Sequence, residues 1–155
     1  MATAPSACHR DLMDHNVAGR ALRAARRVLV YGTCVRDEHP DIYEQLSRGR
    51  VALAACLERE HFNMVALKLA SMLARVKLEE LVVLTVDGSP HCVQLHMAVE
   101  EAVKVTGLAG RLKVRHLVIE SGEVIEIPEA CVKVVRYLSR VKRLWESARP
   151  PSSSE

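Results

Sequence analysis

Residues 81–92 read Leu-Val-Val-Leu-Thr-Val-Asp-Gly-Ser-Pro-His-Cys. The first six are short, apolar and rich in β-branched side chains, and Asp87-Gly88 closes them. That is the pattern of a strand covered on both faces. Ser89 is a good helix N-cap, and Pro90 suits the first helical position. A helix is then expected to run to Thr106, with Gly107 as its stop. A fully buried strand that turns directly into a helix is half of a βαβ unit.

The same grammar repeats upstream. Val51–Ala55 is a second apolar run, followed by Cys56 and a long helix from about Glu58 to Val76. Met64, Leu67, Ala70, Leu73 and Val76 recur about every three residues along it, with Met72 beside them. They are the expected core stripe. Arg27–Tyr31 is another buried run, closed by Gly32-Thr33-Cys34 and a charged loop containing Arg36, Asp37, Glu38 and His39. A short helix is expected over Pro40–Arg48, stopped by Gly49. Before these lie a basic helix over Ala18–Arg27 and an N-terminal stretch, 1–17, read as a loose arm.

Downstream, Leu112–Ile119 is a fourth strand. Ser121-Gly122 is a two-residue hairpin turn, and Glu123–Ile127 alternates as an exposed strand. Pro128 opens a last helix with Cys131, Val134, Val135, Leu138, Val141 and Trp145 on one face. The Pro/Ser-rich tail, 149–155, is expected to be disordered. Strands alternating with helices imply right-handed crossovers. The expected fold is a three-layer, doubly wound α/β domain over residues 18–148. Its sheet is mainly parallel, with four to five strands, and ends in a C-terminal β-hairpin and helix.

Composition sets bounds on function. The 155 residues are 49% hydrophobic with one Phe and one Trp, so the core must be built from Val, Leu and Ala. A net charge of +3 demands no nucleic acid. Arg20, Arg23, Arg26 and Arg27 read as a solvated helix face, with no aromatics interleaved to stack bases, so nucleic acid is not an expected partner. No run of about 18 apolar residues offers a membrane span. Met1–His9 has no apolar signal core, so a cytoplasmic, reducing setting is expected.

The cysteines carry the chemical interest. Cys34, Cys56 and Cys92 each follow a strand, and the C-terminal ends of parallel strands form the ligand edge of such sheets. Thiolates are soft ligands, so an iron–sulfur cluster or zinc is the expected cofactor. His96, one helical turn past Cys92, is the expected companion ligand, with His61, Cys131 and Cys8 as further candidates. Gly32, Thr33, Gly88 and Ser89 are the cofactor-binding candidates in the turns that carry Cys34 and Cys92. Cys131 also fits the apolar stripe of the last helix, and His91 is expected to face solvent.

Tyr31-Gly32-Thr33-Cys34, Ala55-Cys56 and Gly88-Ser89-Pro90-His91-Cys92 resemble the corresponding parts of a known family. It is the small iron–sulfur delta subunit of methyl-viologen-reducing hydrogenases, which delivers electrons to heterodisulfide reductase. The resemblance covers roughly Val28 to Glu120. It implies cluster binding, electron transfer and a redox partner protein or larger oxidoreductase complex. That family's loops carry paired cysteines, whereas this chain has single ones.

Two other chemistries fit the same edge. Cys92, in the first turn of a helix, is the candidate catalytic thiolate of a thiol enzyme or redox sensor, with Cys34 or Cys56 as resolving partner. Alternatively, the helix start at Ser89-Pro90 could hold an anion or nucleotide in a non-enzymatic module, or the domain could serve assembly of a complex. No GxGxxG, GxxxxGK[ST] or GxSxG sequence is present, which disfavours dinucleotide, P-loop and serine-hydrolase sites.

Overall fold

In the computed structural model, which describes residues 10–150, the chain runs β1 (Arg10–Asp11), α1 (Arg20–Ala25), β2 (Arg27–Gly32), α2 (Thr33–Glu38), α3 (Pro40–Ser47), β3 (Val51–Ala55), α4 (Phe62–Arg75), β4 (Glu80–Val86), α5 (Pro90–Val105), β5 (Lys113–Glu120), β6 (Glu123–Ile127), α6 (Glu129–Val135) and α7 (Leu138–Ala148). The strands form one sheet in the order β1-β3-β2-β4-β5-β6. Every pairing is parallel except the β5–β6 hairpin. The doubly wound α/β fold expected from the apolar runs is the fold observed.

Strand alternation divides the core in two. Val28, Val30, Leu53, Leu81 and Val83 face α1, α4 and α5, where Leu22, Val65, Leu69, Met72, Leu95 and Val99 cover them. Leu29, Tyr31, Ala52, Ala54, Val82 and Leu84 face the other way, onto Val35 of α2 and Tyr43 of α3. In register, Tyr31 sits between Ala54 and Leu84. The small alanines of β3 leave room for the Tyr31 and Tyr43 rings, whose centroids are 4.9 Å apart.

The chain leaves β2 for β3 on one side and returns past β2 to β4 on the other. That reversal opens a crevice at the C-terminal ends of β2 and β4. The N-terminal ends are pinned instead. The carboxylate of Glu80, 4% exposed, accepts from Arg50 Nε at 2.8 Å and Arg27 at 3.1 Å, and lies 3.4 Å from Lys113 Nζ. Burial alone would raise its pKa, but the Arg50 and Arg27 guanidiniums outweigh that and hold it below the usual carboxylate value.

Several local expectations need correction. The sheet has six strands because Arg10 and Asp11 pair with Leu53 and Ala54, and Leu12 is fully buried. This part of the expected arm is therefore packed against the domain; residues 1–9, with Cys8, and residues 151–155 lie outside the described residues. The charged loop after β2 is helical: α2 begins directly after Gly32, its N-cap. The long helix starts at Phe62, later than expected, and buries Val65, Leu69, Met72 and Leu73. Met64 and Leu67 are exposed. A stripe of every third residue drifts around a helix with 3.6 residues per turn, so it cannot stay on one face.

The last helix is two helices. Tyr137, with φ −109° and ψ 85°, breaks it between α6 and α7. Of the two, only Val132 is buried; Cys131, Val135, Leu138, Val141 and Trp145 are exposed. The β5–β6 turn is as expected. Ser121 and Gly122 both have positive φ, 50° and 78°, the type I′ geometry that matches strand twist. Among the described residues, no helix is long and apolar enough to cross a membrane.

Candidate functional site

Parallel strands deliver their next residues to one edge, and here they deliver three thiols to one cavity. The cavity, of about 170 Å³, lies at the C-terminal ends of β2, β3 and β4. Cys34 reaches it from the first turn of α2, Cys56 from the turn after β3, and Cys92 from the first turn of α5. Gly32, Thr33 and Ser89 line it as well, so three of the four expected turn residues are at the site. Gly88 is not among the lining residues. Its φ of 104° serves the bend between β4 and α5.

The closeness of Gly32 to Cys92 is a packing fact, not a conformational demand. A Cβ built on Gly32 would lie 3.9 Å from Cys92 Sγ and 4.0 Å from Thr85 Cγ2, ordinary contact distances. The Gly32 backbone is extended with negative φ. The turn after β3 is closed by the Arg59 and Glu60 amides, which donate to the Cys56 carbonyl at 3.2 and 2.9 Å.

Cys92 differs from its expected character. Burial pushes its thiol pKa up, and the Cys34 and Cys56 thiols add to the rise. Hydrogen bonds from the Ser89 side chain and the backbone at Val86 pull the other way without reversing it. The helix start therefore does not make Cys92 a ready thiolate. Ser89 sits at the N-cap but makes no side-chain cap bond; its hydroxyl is turned to the sulfur.

His96 is not at this cavity. It is buried, with its Nε2 2.8 Å from Thr85 Oγ1 and its Nδ1 2.9 Å from His116 Nδ1. His116 Nε2 lies 2.6 Å from Glu100 Oε1. With both rings neutral the chain can run in one direction only. His116 Nε2–H donates to Glu100, His96 Nδ1–H donates to His116 Nδ1, and the Thr85 hydroxyl donates to His96 Nε2. Both His96 nitrogens are thus engaged, and neither is left for a metal. Burial first, and His116 second, lower the His96 pKa to about 3. Four residues along α5 do place His96 on the Cys92 side of the helix, but about 6 Å further from the edge. There it meets the sheet's interior and not the crevice.

The other expected ligands are also apart from the trio. His61 is the N-cap of α4 and is exposed. Cys131 is exposed and lines a separate cavity of about 160 Å³ with Val93, His96 and Val132. Conversely, His91, expected in solvent, lines the cysteine cavity together with Glu38 and Glu58. Among the described residues, no three His, Cys, Asp or Glu side chains are grouped tightly enough to ligate one ion. Sequence reasoning also missed Thr85, Glu100 and His116. Their signals were present: polar residues inside apolar strand runs, and a carboxylate one turn from His96 on the same helix.

A family model described as a Rossmann-like domain matches residues 20–149. No match was found among curated proteins or among solved structures.

Proposed function

The chain belongs to the Rossmann-like domain family, and we propose that it uses the ligand edge of that fold to hold a thiolate-bound redox centre, an iron–sulfur cluster, as an electron-transfer accessory subunit. One observation carries this reading: Cys34, Cys56 and Cys92, from three successive strand ends, line one cavity at the switch point. His91, on the same cavity wall as Glu38 and Glu58, is a nitrogen donor that would complete the set.

The electrostatics favour a cationic occupant. Burial disfavours the Cys92 thiolate, and the Cys34 and Cys56 thiols add to that, so negative charge on Cys92 is costly without a counterion. Bound metal supplies that counterion and deprotonates the thiols on binding. A single zinc needs its sulfurs within roughly 3.8 Å of each other, given bonds of about 2.3 Å. A cluster takes its thiolates on different irons, so it accepts a wider spread. The raised Cys92 pKa weighs against the thiol-enzyme alternative, which needs a thiolate near neutral pH.

The resemblance to the delta subunit of methyl-viologen-reducing hydrogenases supplies the role: a small domain that passes electrons between larger partners. The test is anaerobic reconstitution with iron and sulfide. The expected product is brown, with visible sulfur-to-iron absorption and protein-bound iron and sulfide. Cys56→Ser and Cys92→Ser should each lower iron retention strongly. A wild-type chain that stays colourless and iron-free after reconstitution would overturn the proposal.

A further inference from the structure

The cysteine cavity does not use α7, yet α7 is the least explained surface of the molecule. Every residue from Val135 to Pro150 is exposed. Leu138, Val141, Leu144 and Trp145 recur at three- and four-residue spacing on one side, and Leu138 is 80% exposed. Arg140, Lys142, Arg143 and Arg149 occupy the rest of the circumference, with Glu146 the one carboxylate. Guanidiniums lie over both nearby rings: Arg149 is 4.4 Å from the Trp145 centroid and Arg140 is 4.6 Å from Tyr137.

Charge is concentrated here. Residues 136–149 hold five cations and one carboxylate, a net +4, whereas the whole chain is +3. The rest of the chain is therefore −1, and the basic character belongs to this helix and the arginines that flank it, Arg136 and Arg149. A water-facing helix has no reason to expose an apolar stripe as well. An 11-residue helix is about 16 Å long, too short to cross a bilayer but suited to lie along one.

We propose that α7 docks the protein onto an anionic lipid surface, with Leu138, Val141, Leu144 and Trp145 sunk to the headgroup boundary and the flanking cations on lipid phosphates. An apolar face with an aromatic, framed by Arg and Lys, is the composition of helices that lie in the membrane interface. Self-association fits less well, because a second copy would bring the same cationic helix against this one.

Trp145 is the only tryptophan in the chain, so intrinsic indole emission reports on α7 alone. The full-length protein is titrated with vesicles of phosphatidylcholine and with vesicles that also contain phosphatidylserine. The expected result is a blue shift and co-sedimentation with the anionic vesicles only, reversed by high salt. Lys142→Gln combined with Arg143→Gln, with helicity checked by circular dichroism, should lower anionic partitioning ~25-fold, about fivefold per cation. The proposal is overturned if anionic vesicles produce neither shift nor co-sedimentation, or if neutral and anionic vesicles bind equally. It is also overturned by a shift that grows with protein concentration without lipid, which would assign the face to a second copy.

Discussion

His96 and His116 share one hydrogen bond, and only one of the two nitrogens can carry its proton. The Thr85–His96–His116–Glu100 chain is satisfied with a neutral His96 ring. Folded His96 is held near pKa 3, against 6.5 in an unfolded chain. Below pH 6.5 the unfolded chain therefore takes up a proton that the folded chain refuses. The stabilisation is complete above pH 6.5 and is lost as pH falls toward 3. Unfolding free energies from urea titrations should decline through that window with a slope approaching about 1.4 kcal/mol per pH unit. His96→Gln, which cannot titrate, should reduce that slope, leaving the part due to His15, whose pKa burial also lowers. The thiols make a second residue-scale prediction. Cys34 is exposed, while Cys92 is half-buried with a raised pKa, so iodoacetamide at neutral pH should label Cys34 well before Cys92. Equal labelling would contradict the site as described. The trio's meeting was legible because it needs only strand endings and parallel topology. The place of His96 was not, because sequence spacing gives a helix face but not how far along the sheet that face lies.

At the scale of the element, strands were easier to read than helices. Val51–Ala55 and Glu123–Ile127 have the bounds their patterns indicate, since a strand's two-residue period leaves no phase to misjudge. Helix α4 had the right composition and the wrong face. Leu69 is fully buried and Leu67 is 64% exposed, though both are leucines two positions apart. Leu69→Ala should cost about 3 kcal/mol in denaturant unfolding. Leu67→Ala should stay within about 0.5 kcal/mol. Comparable costs would mean that the helix is rotated from its described phase. Helices α6 and α7 were read as one helix with a core-facing stripe for another reason. Apolar spacing marks a face that needs covering, and none of the described residues covers that face of α7. Pattern alone does not distinguish a core stripe from a docking stripe.

The whole molecule separates stability from chemistry along the strand axis. Cysteines gather at the C-terminal ends of the strands. At the opposite ends Glu80 ties together β4, Arg27 at the start of β2, Arg50 just before β3, and Lys113 at the start of β5. A seven-residue strand separates the two ends by about 23 Å, far enough for independent effects. Glu80→Ala leaves three cations without their buried partner and should cost about 2 kcal/mol, tempered because Arg27 and Lys113 reach solvent. Iron retention after reconstitution should be unchanged in the same variant. The acid response should also divide. Glu80 has a depressed carboxyl pKa, so its contribution is complete above the ordinary value of 4.5 and is lost only as pH falls below it. Between pH 6.5 and 4.5 the slope contributed by these two groups belongs to His96 alone; below 4.5 Glu80 joins it. Glu80→Gln should therefore reduce the slope only below pH 4.5 and leave the upper limb unchanged, whereas His96→Gln should reduce it on both sides of 4.5. If Glu80→Gln changed the upper limb instead, the strand-start cluster and the buried histidine chain would be one coupled network, and the separation of the two ends would fail.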